Sequence, residues 1–107
     1  MLAKKFRLPI KEINKNAEKI FSSDYFSIKS SPNNKTHNRI VIVIPNKAIP
    51  KSTRRHFWKR YFIEALRRWP DLSRDFLVIV FKKIENVNKE FLNKEINSAL
   101  NKIKTRS

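Results

Sequence analysis

The stretch KSTRRHFWKRYFIEALRRW, Lys51–Trp69, decides the fold. At about 100° per residue its side chains separate into two faces. Phe57, Trp58, Tyr61, Phe62, Ala65, Leu66 and Trp69 fill one broad apolar arc. His56, Lys59, Arg60 and Arg67 fall on the opposite arc, with Arg54 and Arg55 in the first turn. This pattern predicts a helix that buries rings on one side and holds cations toward solvent on the other. Phe57, Tyr61, Phe62 and Trp69 read as core; Trp58, at the edge of the arc, reads as core or as an exposed stacking platform. Ser52 is the expected N-cap, and Pro70 stops the helix after Trp69.

A run of β-branched residues flanks the helix on each side: RIVIVI (Arg39–Ile44) before it, FLVIVF (Phe76–Phe81) after it. Both are short and apolar enough for inner strands. Further back, Tyr25–Ser30 alternates. Phe26 and Ile28 point one way; Tyr25, Ser27 and Lys29 point the other, as in a half-buried strand. Polar turn residues between Pro32 and Asn38 predict a hairpin linking this strand to the next.

Pro9 suits the first position of a helix. Ile10, Ile13, Ala17, Ile20 and Phe21 then recur with helical spacing, so a helix of about three turns is expected, ending at Ser22–Asp24. At the other end Asn88 can cap a last helix, with Phe91, Leu92, Ile96, Leu100 and Ile103 on its apolar side. The expected order is α-β-β-α-β-α in a single domain over 1–107, with residues 1–5 frayed. A sheet covered by helices, in an α+β two-layer sandwich, is the economical packing.

Composition narrows the function. The chain has 107 residues, 40% of them hydrophobic, enough for a real core. Lys and Arg number 25 against 9 Asp and Glu, a formal net charge of +16. Such self-repulsion is best relieved by an anionic partner, with nucleic acid ahead of a membrane surface. The absence of cysteine excludes disulfides, thiolate zinc sites and cysteine nucleophiles. The absence of glycine excludes a P-loop, a dinucleotide fingerprint and a nucleophile elbow. No apolar run approaches the ~20 residues that span a bilayer, and MLAKKFRLPIKE has no signal-peptide core, so a cytoplasmic location away from membranes is expected.

No catalytic constellation stands out. His37 lies in a polar turn and His56 on the basic helix, with no metal-ligand spacing between them. The acids are scattered. Asp71 and Asp75 are close in sequence but occupy places usual for solvated acids. The chain therefore reads as a binder, with no catalytic or metal-ligating residue. Arginine forks match phosphate oxygens, and lysine adds a point charge. If roughly five such groups met phosphates, log K would fall against log salt by about 0.9 per contact.

Four stretches resemble the protein component of bacterial ribonuclease P. Arg7-Leu8 with Ile20-Phe21 resembles the family's opening helix. The 39–44 run followed by Asn46-Lys47 resembles the strand before its basic motif. Arg55 to Arg60, then Glu64-Ala65, resembles its signature helix, RNRxKRxxREAF. Asp75 and the run after it resemble the following strand. The resemblance spans about Arg7 to Lys104. It implies a small α/β sandwich with a left-handed β-α-β crossover around the central helix. It also implies a subunit of an endoribonuclease whose RNA carries the catalytic site. With Mg²⁺ held mainly by that RNA, the enzyme removes the 5′ leader of precursor tRNA. The implied partners are ribonuclease P RNA and precursor tRNA.

Carried over by position, Arg55, Lys59 and Arg60 match the signature's basic residues. Arg54, His56 and Arg67 complete the RNA-binding candidates. Phe21, Tyr25 and Lys29 are the candidates for a leader cleft between the first helix and the sheet; a ring there could stack on unpaired bases. His56 stands where asparagine is usual, Phe57 and Ile63 where arginines are usual, Pro50 for a glycine, and Ala17 for a cleft aromatic. The segment between Phe21 and Tyr25 is too short for the family's extra edge strand. The alternative is a general RNA- or DNA-binding module with no part in cleavage. Oligomeric state cannot be read from these residues.

Overall fold

The two β-branched runs form the strands that organise the molecule, and they pair side by side. The structure, a computed structural model, describes residues 3–106. Four strands, β1 (Glu18–Ser22), β2 (Phe26–Pro32), β3 (Arg39–Val43) and β4 (Arg74–Val80), combine with two helices, α1 (Ser52–Arg67) and α2 (Lys89–Arg106). The sheet order is β1-β2-β4-β3. β2 is antiparallel to both its neighbours, whereas β3 runs parallel to β4. α1 is thus the crossover between two adjacent parallel strands.

Register sorts the side chains. Phe26, Ile28, Ile40, Ile42, Phe76, Val78 and Val80 share one face and are buried. Both helices cover this face. α1 brings Trp58, Phe62 and Leu66 to it at helical spacing, and α2 brings Leu92, Ile96, Ala99 and Ile103. Each large side chain so buried contributes roughly 1.5–3 kcal/mol. The α+β two-layer sandwich expected from the sequence is the observed architecture.

The first helix is not. Ile10–Glu12 makes one 3-10 turn, a second turn spans Lys4–Phe6, and the chain from Glu18 to Ser22 is strand. Ile10, first residue of the expected apolar stripe, is 71% exposed. Asn14 accepts the Asn16 backbone N–H on its side-chain oxygen at 2.8 Å, closing a local turn that competes with helix. Ile20 and Phe21 then reach the core from a strand, with a bulge between Lys19 and Phe21 breaking the alternation. The edge strand expected to be missing is this one, and the element order becomes β-β-β-α-β-α. The expected fray of residues 1–5 lies in part outside the described residues; Lys4 and Lys5 belong to the first 3-10 turn.

The predicted hairpin also differs. β2 pairs with β1, through a turn held by the Ser23 hydroxyl, which accepts the Tyr25 N–H at 3.2 Å. β4 lies between β2 and β3 instead. The loop before β3 is tied to the approach of β4. The Asn38 side chain donates to the Pro70 carbonyl at 3.0 Å and accepts the Leu72 N–H at 2.9 Å. In a chain without glycine, Ser73 takes the left-handed conformation at that corner, φ 54°.

Three further readings change. Ser52 is the first helical residue and Lys51 the cap, without a side-chain bond. Phe57, read as core, is 38% exposed, and Phe91 is 49% exposed, because each sits just off its helix's buried stripe. Asp75, read as a solvated acid, is buried.

Candidate nucleic-acid interface

The stripe Trp58–Phe62–Leu66 fixes the rotation of α1 and so decides which cations face out. His56, Lys59 and Arg60 are exposed, and no ion pair or side-chain hydrogen bond engages them among the described residues. Exposed Arg68, just past the helix, extends this set; the sequence reading passed over it because it falls off the opposite arc.

The other three predicted cations are engaged. Arg55 is half-buried and donates from one nitrogen to the Ile49 carbonyl at 2.9 Å and the Pro50 carbonyl at 2.7 Å. It ties the entering loop to the first turn of α1. Arg54 donates to Glu85 at 3.1 Å and lies over the Phe57 ring at 5.2 Å. Lys89 approaches the same ring at 4.5 Å. Arg67 pairs with Glu64 at 3.0 Å, an exposed contact one helical turn away. On this flank Tyr61 donates its hydroxyl to Asn93, and burial pushes its phenol pKa up from the ordinary value.

Lys59 and Arg60, with the exposed His56 beside them, border a groove of about 530 Å³ between α1 and the outer edge of β3. Leu8, Ile42 and Ile63 supply its apolar floor; Arg7, His56, Lys59 and Arg60 supply its rim. Arg7 reaches the rim of the groove through the chain's path along the sheet: its backbone bridges to Ile40, and the Leu8 N–H reaches the Ile40 carbonyl at 3.1 Å.

The leader-cleft candidates are not brought together. Phe21 stacks on Phe26 at 5.2 Å beneath Lys102, and Tyr25 meets Phe91 edge-on at 5.9 Å. Both rings therefore lie on the side covered by α2. Lys29 lies opposite Leu77, on the face turned away from the helices. Trp58, open between two readings in the sequence, is buried.

That far face carries one polar cluster. Arg39 donates to both carboxylate oxygens of Asp75, at 2.9 and 2.8 Å, and to Glu12 at 2.9 Å. Asn33 donates to Asp75 as well, at 2.8 Å. The Asp75 hydrogen bond, opposed by burial and helped by Glu12, raises the Arg39 pKa above its ordinary value. The cluster is a strap: through Glu12 it holds the second 3-10 turn onto the sheet. Its acid oxygens face a guanidinium, and among the described residues no group of three His, Cys, Asp or Glu could hold a metal.

A strongly basic two-layer sandwich, with free cations gathered on one helix beside an open strand edge, defines a class of small domains suited to a polyanion. A family model described as Ribonuclease P matches residues 7–104. The chain belongs to the ribonuclease P protein family and is a ribonuclease P protein subunit by that membership. Among solved structures, the RNase P protein of Thermotoga maritima is 26% identical, with a TM-score of 0.73 over 88% of this chain and 94% of that one. The Staphylococcus aureus RNase P protein shares the fold at 16% identity and TM-score 0.75, over 90% of this chain and 93% of that one. A mutant of the S. aureus protein, described as defective in mRNA degradation activity, superposes at TM-score 0.76 and 19% identity, covering 94% and 90%. No curated protein matches the chain. No helix among the described residues is long and apolar enough to cross a membrane.

Proposed function

We propose that this chain binds the catalytic RNA of ribonuclease P through α1 and assists 5′ maturation of precursor tRNA in the cytoplasm. The observation that carries the reading is the partner-free set His56, Lys59 and Arg60, two of which stand at signature positions of the family. Lys59 and Arg60, which meet no acid among the described residues, are available to phosphate oxygens at no cost in broken ion pairs. Arg54 and Arg67, each in an exposed single ion pair, can exchange a carboxylate for a phosphate; Arg55 contributes by holding the loop.

The 5′ leader is assigned to the far face of the sheet around Lys29, where Leu77 and Ile79 are only half covered. Phe21 and Tyr25 support that face from behind. Mg²⁺ and the hydrolytic step belong to the RNA in this reading. Among the described residues, the Asp75 carboxylate faces a guanidinium and no three acids or histidines gather as a magnesium donor set would require.

The test is reconstitution with the cognate RNA and titration of Mg²⁺. Precursor tRNA cleavage is expected at a lower Mg²⁺ concentration with protein than without, and none with protein alone. An unchanged Mg²⁺ requirement overturns the reading. Equal affinity for precursor tRNA and an unrelated duplex at matched salt would instead identify a general nucleic-acid-binding module.

A further inference from the structure

β3 is an edge strand, and its outer side is only partly closed. Among the described residues the one bridge on that side is Arg7 to Ile40. The Ile40 carbonyl points outward, since it accepts the Leu8 N–H. Alternate residues of a parallel strand share orientation, so the Ile42 N–H and C=O point to the same open side. They border the groove beyond the place where Leu8 leaves the edge. A pair of strand-edge peptide groups turned away from β4 is a ready hydrogen-bonding template.

Three features converge on this groove. Its floor is apolar, with half-buried Ile63 of α1 lining it together with Leu8 and Ile42. Its wall offers one backbone donor and one acceptor. Its rim is cationic, and the acid among its lining residues, Glu64, is turned to Arg67. A purely paired RNA backbone would use the rim and leave floor and wall unused. We propose that the groove receives one unpaired nucleobase of the bound RNA. The base lies against Ile63 and Leu8, the Ile42 peptide groups meet its Watson–Crick edge, and Lys59 and Arg60 take the flanking phosphates. The charge of the rim selects a polyanion over a neutral peptide added to the strand edge. An arginine at position 63, the residue usual there in the resembling signature helix, would fill the floor; isoleucine leaves it open.

This inference rests on the reading of α1 as an RNA-binding helix, and the experiment separates the two. Two RNA hairpins, identical but for a single unpaired adenosine in the stem of one, are added to isotope-labelled protein and also used for affinity measurements. The bulged hairpin is expected to bind roughly tenfold more tightly, from the apolar area a base would bury. It should also shift the Ile42 amide and Ile63 methyl signals. The paired hairpin should move signals of the Lys59 and Arg60 segment alone. Ile63→Arg should abolish the preference while keeping or raising affinity for the paired hairpin, a result that misfolding would not give. Equal affinities with no Ile42 shift overturn the nucleobase site and leave RNA binding by α1 standing. Salt-independent or absent binding of both hairpins overturns both. An extended acidic peptide that moves the Ile42 amide more than the bulged hairpin does would make the edge a strand-addition site and overturn the proposal.

Discussion

Two sets of cations in this small domain look alike in sequence and differ in use. Arg39 and Arg55 are turned inward, onto Asp75 and onto the Ile49 and Pro50 carbonyls. Lys59 and Arg60 are turned outward and meet no acid among the described residues. Residue type does not separate the sets. What separates them is whether an acceptor lies within reach once the sheet and α1 have taken their places. The inward set holds the fold together, and the outward set is the one the proposed function gives to a partner.

Removing each set in turn can break that contrast. Arg39→Ala should cost most, about 3–5 kcal/mol, because it leaves the buried Asp75 carboxylate without its countercharge. Denaturant unfolding checks this. Replacing both partners with apolar residues, Arg39→Met with Asp75→Leu, should recover much of the loss; a double variant as unstable as the single one would show that the pair itself stabilises. Arg55→Ala should cost less, about 1.5 kcal/mol, for two hydrogen bonds from a charged donor that is partly solvated. Lys59→Ala with Arg60→Ala should change stability least, within about 0.5 kcal/mol. The same double variant should flatten the salt dependence of RNA binding by about 1.8, two phosphate contacts at ~0.9 each. If it instead unfolded the protein and left that slope alone, the division between the sets would be wrong.

The sequence made much of this visible, and the residues show where it stopped. The runs at 39–44 and 76–81, and the apolar stripes of α1 and α2, carry periodicities of one kind only; the runs became β3 and β4, which end one residue earlier, β4 also starting two residues sooner, and the stripes became the two helices. Ile13, Ala17, Ile20 and Phe21 fit a helical period, yet Ile20 and Phe21 serve a strand. The deciding influences were the Asn14 side chain and a pairing with β2, the second of which no local window contains. The parallel pairing of β3 with β4 across α1 is likewise non-local. At the site, the basic arc was legible, but the fate of each cation was not. Arg55 depends on where two carbonyls of the preceding loop fall. Asp75 read as solvated because its partner, Arg39, is 36 positions away. Arg7 joins the groove only because the chain passes alongside β3.

The half-open side of β3 has a consequence for handling the protein. Bare strand edges invite two molecules to zip together, and here the guard against it is long-range repulsion between copies that each carry +16. Dissolved ions shorten the reach of that repulsion, to about 10 Å at 0.1 M and about 3 Å at 1 M. Concentrated salt, the usual means of stripping co-purified nucleic acid from a basic protein, should therefore encourage self-association. Dilute buffer should keep the molecules apart.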